Sequence, residues 1–182
     1  MKPATIRTSS AEIRTAFEQW LGLHRGLRLV ILEGLTSSGK TTLTRQPFAI
    51  EADVSVNIEV DEFLDRPVPG TTIYVDAIDR PALDAAMESA IASSPLVVVQ
   101  GAIAWPFAGP VATRLGKGCV GRVYLKRMRR LHPETWADEE YLVDRAWWPP
   151  TEYHRSIYRY HAEQQPWVSA DLILERIESD DE

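Results

Sequence analysis

The chain has 182 residues, enough for one domain with a full core, and its 45% hydrophobic and 25% charged residues are the proportions of an ordinary globular protein. A formal net charge of -6 and a pI near 5.3 argue against broad, nonspecific nucleic-acid binding, which needs a basic surface. The single cysteine, Cys119, allows no internal disulfide, no apolar run approaches the roughly 20 residues of a membrane span, and the first ten residues lack a signal peptide's apolar stretch, so a cytoplasmic protein is expected.

In chain order, Ser9 or Ser10 is suited to cap a helix running to about Leu21, with Ile13, Phe17, Trp20 and Leu21 on one face. Gly22 and Gly26 then break the chain. Residues 27–32 are apolar except for Arg28, the pattern of a strand buried on both faces. A Gly/Ser/Thr loop follows, then a helix from about Lys40 that Pro47 should end early. Residues 54–60 read V-S-V-N-I-E-V, the period of two of a strand. The stretch 79–93 predicts a helix capped by Asp79, with Pro81 in its first turn and Leu83, Ala86, Met87 and Ala90 facing the core.

Residues 96–99, 120–125 and 170–174 predict three more strands, and 134–145 and 151–164 two more helices. Five strands with helical crossovers imply an α/β fold: one three-layer α/β/α domain over 1–182 with a five-stranded parallel sheet. A short lid is expected over about 127–138, and a solvated acidic tail over 178–182.

Gly34-Leu35-Thr36-Ser37-Ser38-Gly39-Lys40-Thr41 satisfies G-x-x-x-x-G-K-[ST] in full, and Thr42 follows it. A polyphosphate needs several donors converging on a small volume. Backbone N–H groups in a glycine-permissive loop provide them, and the start of the next helix adds its dipole. Lys40 is expected on the β- and γ-phosphates, and the Thr41 hydroxyl on Mg²⁺. A second glycine pattern, over 116–121, precedes a strand where a dinucleotide fingerprint requires a helix, so it is read as a turn.

The strand at 54–60 runs into Asp61, at the carboxyl edge of the sheet where ligands sit in such folds. A carboxylate there suits deprotonation of an acceptor hydroxyl or a place near Mg²⁺. Gln100 ends the next strand, where an acid is usual. It suits a metal-bound water but adds no charge. Lys126, Arg127, Arg129 and Arg130 follow the strand at 120–125, and Arg127 and Arg130 are the candidates for neutralising a transferring phosphoryl group. Tyr74, Asp76 and Asp79 are weaker candidates for acceptor contacts. Trp105-Pro106-Phe107 suits either ring stacking or core packing. His154 and His161, seven apart among tyrosines, lack further metal ligands and read as a packed aromatic face.

Taken in order, Glu33 to Thr42, then Val60-Asp61-Glu62-Phe63, Asp79-Arg80-Pro81-Ala82-Leu83-Asp84, the strand ending at Gly101, the arginines after residue 125 and Ala170-Asp171 resemble the uridine kinase-like branch of P-loop nucleoside and nucleotide kinases. The resemblance implies ATP- and Mg²⁺-dependent phosphate transfer to the hydroxyl of a small acceptor, with Asp61 as acid/base, Lys40 and Thr41 on phosphate and metal, and an arginine in the lid. The chain departs from that family in Gln100, in the short helix after the loop, and in lacking a long nucleoside-binding insertion before Pro81. Alternatives are a kinase for an antibiotic or other polar metabolite, and a regulatory nucleotide-binding module. No N-K-x-D motif is present to favour GTP.

Overall fold

The computed structural model describes residues 3–45, 48, 55–65, 71–132, 135–138 and 151–177, without side chains over 129–138. The elements are β1 (Ala4–Ser9), α1 (Ile13–Leu23), β2 (Leu29–Glu33), α2 (Lys40–Thr44), β3 (Ser55–Glu59), α3 (Arg80–Ser93), β4 (Leu96–Gly101), α4 (Trp105–Leu115), β5 (Val120–His132), β6 (Thr135–Asp138), α5 (Glu152–Gln164) and β7 (Leu172–Ile177). Pro47, residues 139–145 and the tail 178–182 lie outside the described residues.

The fold is α/β. The sheet runs β1-β7-β5-β2-β4-β3 with every neighbouring pair parallel, so it has six parallel strands and not the expected five. The added strand is β1, an edge strand whose only aliphatic side chain beyond alanine is Ile6. It pairs residue for residue with β7, and Arg7 forms an ion pair with Glu175 at 2.6 Å. A polar, charged edge resists further strand addition, and the same polarity hides it from a reading based on apolar runs.

One more expectation is corrected. Residues 135–138 form a strand, not part of a helix over 134–145: β6 pairs antiparallel with the far end of β5, Met128 opposite Asp138 and Arg130 opposite Trp136. Within 127–138, the expected lid, the described residues belong to these two paired strands. The stretch 105–115 is α4, which the proline at its second position and the one at Pro110 had obscured.

Helices cover both faces. Phe17, Trp20 and Leu21 of α1 and Leu43 of α2 pack with Val30, Leu32, Val98, Val123 and Leu125 on one side. Leu83 and Met87 of α3, Phe107 and Val111 of α4 and Ile157 of α5 pack with Leu29, Ile31, Val97 and Val99 on the other. The α1 stripe comes out as its spacing predicted, though neither Ser9 nor Ser10 caps it; Glu12 holds that position without a side-chain bond to the helix amides. Asp79 does cap α3, accepting from the Ala82 amide at 3.0 Å. No helix among the described residues is long and apolar enough to cross a membrane.

Candidate active site

Strand order reverses beside β2: the chain passes from β2 out to β3, back to β4, and then to β5 on the other flank of β2. In open parallel sheets ligands bind at the carboxyl edge beside such a reversal. The loop 34–41 leaves β2 at this edge.

That loop is tightly constrained. A Cβ on Gly34 would overlap the Leu125 carbonyl oxygen, so only glycine lets the chain pass β5. Ser37 has φ 67° and Gly39 has φ 101°, left-handed residues with one residue between them. A left-handed serine is costly and tends to be held by its surroundings at functional sites. Alternation into and out of the left-handed region turns successive N–H groups toward one point, which makes an anion-binding concavity. The Lys40 ammonium bends back over the loop, donating to the carbonyls of Gly34 (2.6 Å) and Leu35 (2.9 Å) and to Ser38 Oγ (3.4 Å). Helix α2 is only five residues long, so its macrodipole is small. The amides of the loop and Lys40 must then supply most of the attraction for an anion.

Three side chains meet beside the loop. Thr41 Oγ1 donates to Glu59 Oε1 at 3.2 Å, and Gln100 Nε2 donates to Glu59 Oε2 at 3.4 Å. Sequence reasoning missed Glu59. Its signal was present, because it is the last residue of β3 and so stands at the same sheet edge as Asp61.

Asp61 sits in a 3-10 turn after β3 (Val60–Phe63) and accepts a hydrogen bond from the Tyr74 hydroxyl, 2.5 Å from its Oδ1. Tyr74 is fully buried. Burial holds its phenol far above the usual range, and the negative charges of Asp61 and Glu59 push the same way. It therefore stays protonated and always donates. Tyr74 is fixed in turn by Tyr153, whose ring lies 5.2 Å away, and by Ser156 Oγ, which accepts from its backbone N–H at 2.8 Å. Of the other acceptor candidates, Asp79 caps α3 and Asp76 is exposed.

Helix α5 braces this whole edge. Its Tyr160 hydroxyl donates to Glu33 Oε1 at 3.0 Å. Glu33 closes β2 just before the loop and is buried. Its Oε1 also accepts the first free amides of α4, from Ala104 (3.0 Å) and Trp105 (2.9 Å), while Arg122 lies 3.7 Å from its Oε2 and over the Trp105 ring. Burial and the Glu33 charge raise the Tyr160 phenol well above its normal range. His161, one residue on, is 3% exposed. Its Nδ1 lies 2.8 Å from the Tyr124 hydroxyl and its Nε2 lies 2.7 Å from the Ala102 carbonyl. Burial pulls its pKa down to about 4, with the Ala102 carbonyl opposing and the Lys40 charge assisting. Neutral His161 then donates from Nε2 and accepts at Nδ1. His154 bonds Thr151 at the start of α5, so both histidines serve the fold.

The basic residues divide. Lys126 lies over the Trp167 ring at 5.1 Å. Arg127 is the register partner of Arg176 on β7, and parallel partners share a face of the sheet. Arg176 reaches the loop, donating to the Ser37 carbonyl at 3.4 Å, with its Nη1 2.6 Å from where a Cβ on Gly39 would stand. Arg176 was not singled out in the sequence. Arg130 lies in β5, and its side chain is outside the described residues. Trp105 is occupied by Arg122, and Phe107 is buried in the core.

An open groove of about 700 Å³ lies at the opposite edge, between α1 and the starts of β1, β5 and β7, lined by Trp20, Leu27 and Val120 among others. It is mostly apolar and lies away from the loop. Among the described residues no group of three His, Cys, Asp or Glu is arranged to hold a metal; a cation at Thr41 would rest on few protein ligands, with water and phosphate completing its shell. In comparisons with known proteins, no family model and no curated protein matches the chain.

Proposed function

We propose that this protein is an ATP- and Mg²⁺-dependent phosphotransferase of P-loop kinase type, moving the γ-phosphate to a hydroxyl of a small acceptor of the nucleoside or nucleotide class. The observation that carries the reading is the pairing, at one sheet edge, of a constrained loop bearing Lys40 and Thr41 with a carboxylate, Asp61, held by a permanently protonated tyrosine. In this reading residues 34–42 grip the triphosphate and Lys40 swings from the loop carbonyls onto the β- and γ-phosphates. Thr41 binds Mg²⁺. The metal would lower the charge on the phosphates and help align them.

Asp61 takes the proton of the acceptor hydroxyl as its oxygen attacks the γ-phosphorus. The bond to the β-phosphate oxygen breaks, and ADP leaves. Arg127 or Arg130 of β5 neutralises the charge that spreads over the transferring group, and Arg176, register partner of Arg127, joins it. ATP is favoured because no guanine-reading motif is present.

A second reading, a nucleotide-binding module without transfer, draws on Gln100, a neutral side chain where such enzymes keep an acid. The two separate in a screen of nucleosides, sugars and aminoglycoside-type alcohols for ADP release. The kinase reading expects acceptor-dependent ADP that vanishes in Lys40→Ala and falls steeply in Asp61→Asn. Nucleotide binding with no ADP from any acceptor would leave the module.

A further inference from the structure

We infer that Glu59 supplies the carboxylate of the Mg²⁺ site, so that the charge absent at the end of β4 has been moved one strand over, to the end of β3. This rests on the nucleotide-binding reading above. Glu59 and Gln100 are register partners on adjacent parallel strands, so their side chains leave the sheet side by side on one face. It is the face covered by α2, whose Thr41 offers the metal-binding hydroxyl.

One carboxylate oxygen of Glu59 takes the Thr41 hydroxyl and the other takes the Gln100 amide. No ion pair joins Glu59 to a basic side chain among the described residues, so the structure gives its charge no cationic partner of its own. Gln100 adds an independent sign. It is 1% exposed, and its Oε1 has no hydrogen-bond partner among the described residues. A buried amide oxygen without a donor is costly and calls for an explanation. Its Nε2 is committed to Glu59, which leaves Oε1 as an acceptor for the proton of a metal-bound water. Mg²⁺ suits such a place, because it keeps several waters and needs only one or two carboxylates besides the substrate phosphates.

The test is calorimetric titration of ATP, once with Mg²⁺ and once with EDTA, into the wild type, Glu59→Gln and the double variant Glu59→Gln/Gln100→Glu. The expected result is that Glu59→Gln binds metal-free ATP as the wild type does but loses roughly 10- to 100-fold of the tightening that Mg²⁺ brings. The double variant, which restores the charge on the partner strand, recovers it. Full Mg²⁺ tightening in Glu59→Gln, an equal loss of ATP binding in EDTA, or no recovery in the double variant would overturn the inference and leave the nucleotide reading standing. A wild type that binds ATP in neither buffer would overturn both.

Discussion

The Tyr74 hydroxyl and the Asp61 carboxylate, 13 residues apart in sequence, form a short hydrogen bond at the carboxyl edge of the sheet. Because burial keeps the phenol protonated, one carboxylate oxygen holds a standing hydrogen bond that fixes the group's orientation. Asp61→Asn should bind Mg·ATP as the wild type does while kcat falls by about 100-fold or more, the usual worth of a general base. Tyr74→Phe, which removes only the aiming hydroxyl, should lower kcat roughly tenfold, the worth of one hydrogen bond to a charged group, with little change in the KM for ATP. Steady-state kinetics on both variants check this; an unchanged kcat in Asp61→Asn rules out the base.

His161 makes stability depend on pH. Its folded pKa is about 4, while an unfolded histidine titrates near 6.5, so between these values the unfolded chain binds the extra proton. Stability is therefore full above about pH 6.5 and falls as the pH drops toward 4, by up to roughly 3 kcal/mol from this group. Urea denaturation from pH 4.5 to 7.5 measures the slope. His161→Gln, which keeps a donor and an acceptor, should flatten it.

Glu33 holds together β2, α4 and α5 through three hydrogen bonds to a single oxygen. Glu33→Ala strands two helix-start amides and the hydroxyl of half-buried Tyr160, and should cost about 3 kcal/mol. Chemical denaturation should show the midpoint falling with little change in slope.

Gly34→Ala tests whether the loop is built around β5. The added methyl meets the Leu125 carbonyl, which is backbone and cannot rotate away. A loss of about 1–3 kcal/mol in stability is expected, together with loss of Mg·ATP binding, read by thermal melting with and without nucleotide. A variant as stable and as responsive as the wild type would mean that the loop has room to spare.

Much of this was legible in the sequence because it depends on local pattern. Phe17, Trp20 and Leu21 fall on the buried face that helical spacing dictates, Asp79 caps where its position before Pro81 implies, and the strand into Asp61 shows by its alternation. What was missed depends on partners distant in the chain. The edge strand β1 is polar and gains its order from β7. Residues 135–138 look helical alone but pair with a β5 that runs seven residues past its apolar stretch. Glu59 stands at the end of a strand the alternation does show, but its pairing with Gln100, like that of Arg176 with Arg127, comes only from strand register.

The proposed grip of the loop amides and Lys40 on a nucleoside triphosphate carries all the rest. Its most direct test is calorimetric titration of Mg·ATP into the wild type and Lys40→Ala. The account predicts saturable binding to the wild type, weakened roughly 10- to 100-fold when the charged donor is removed. No binding heat in the wild type, or equal affinity in the two proteins, would contradict it.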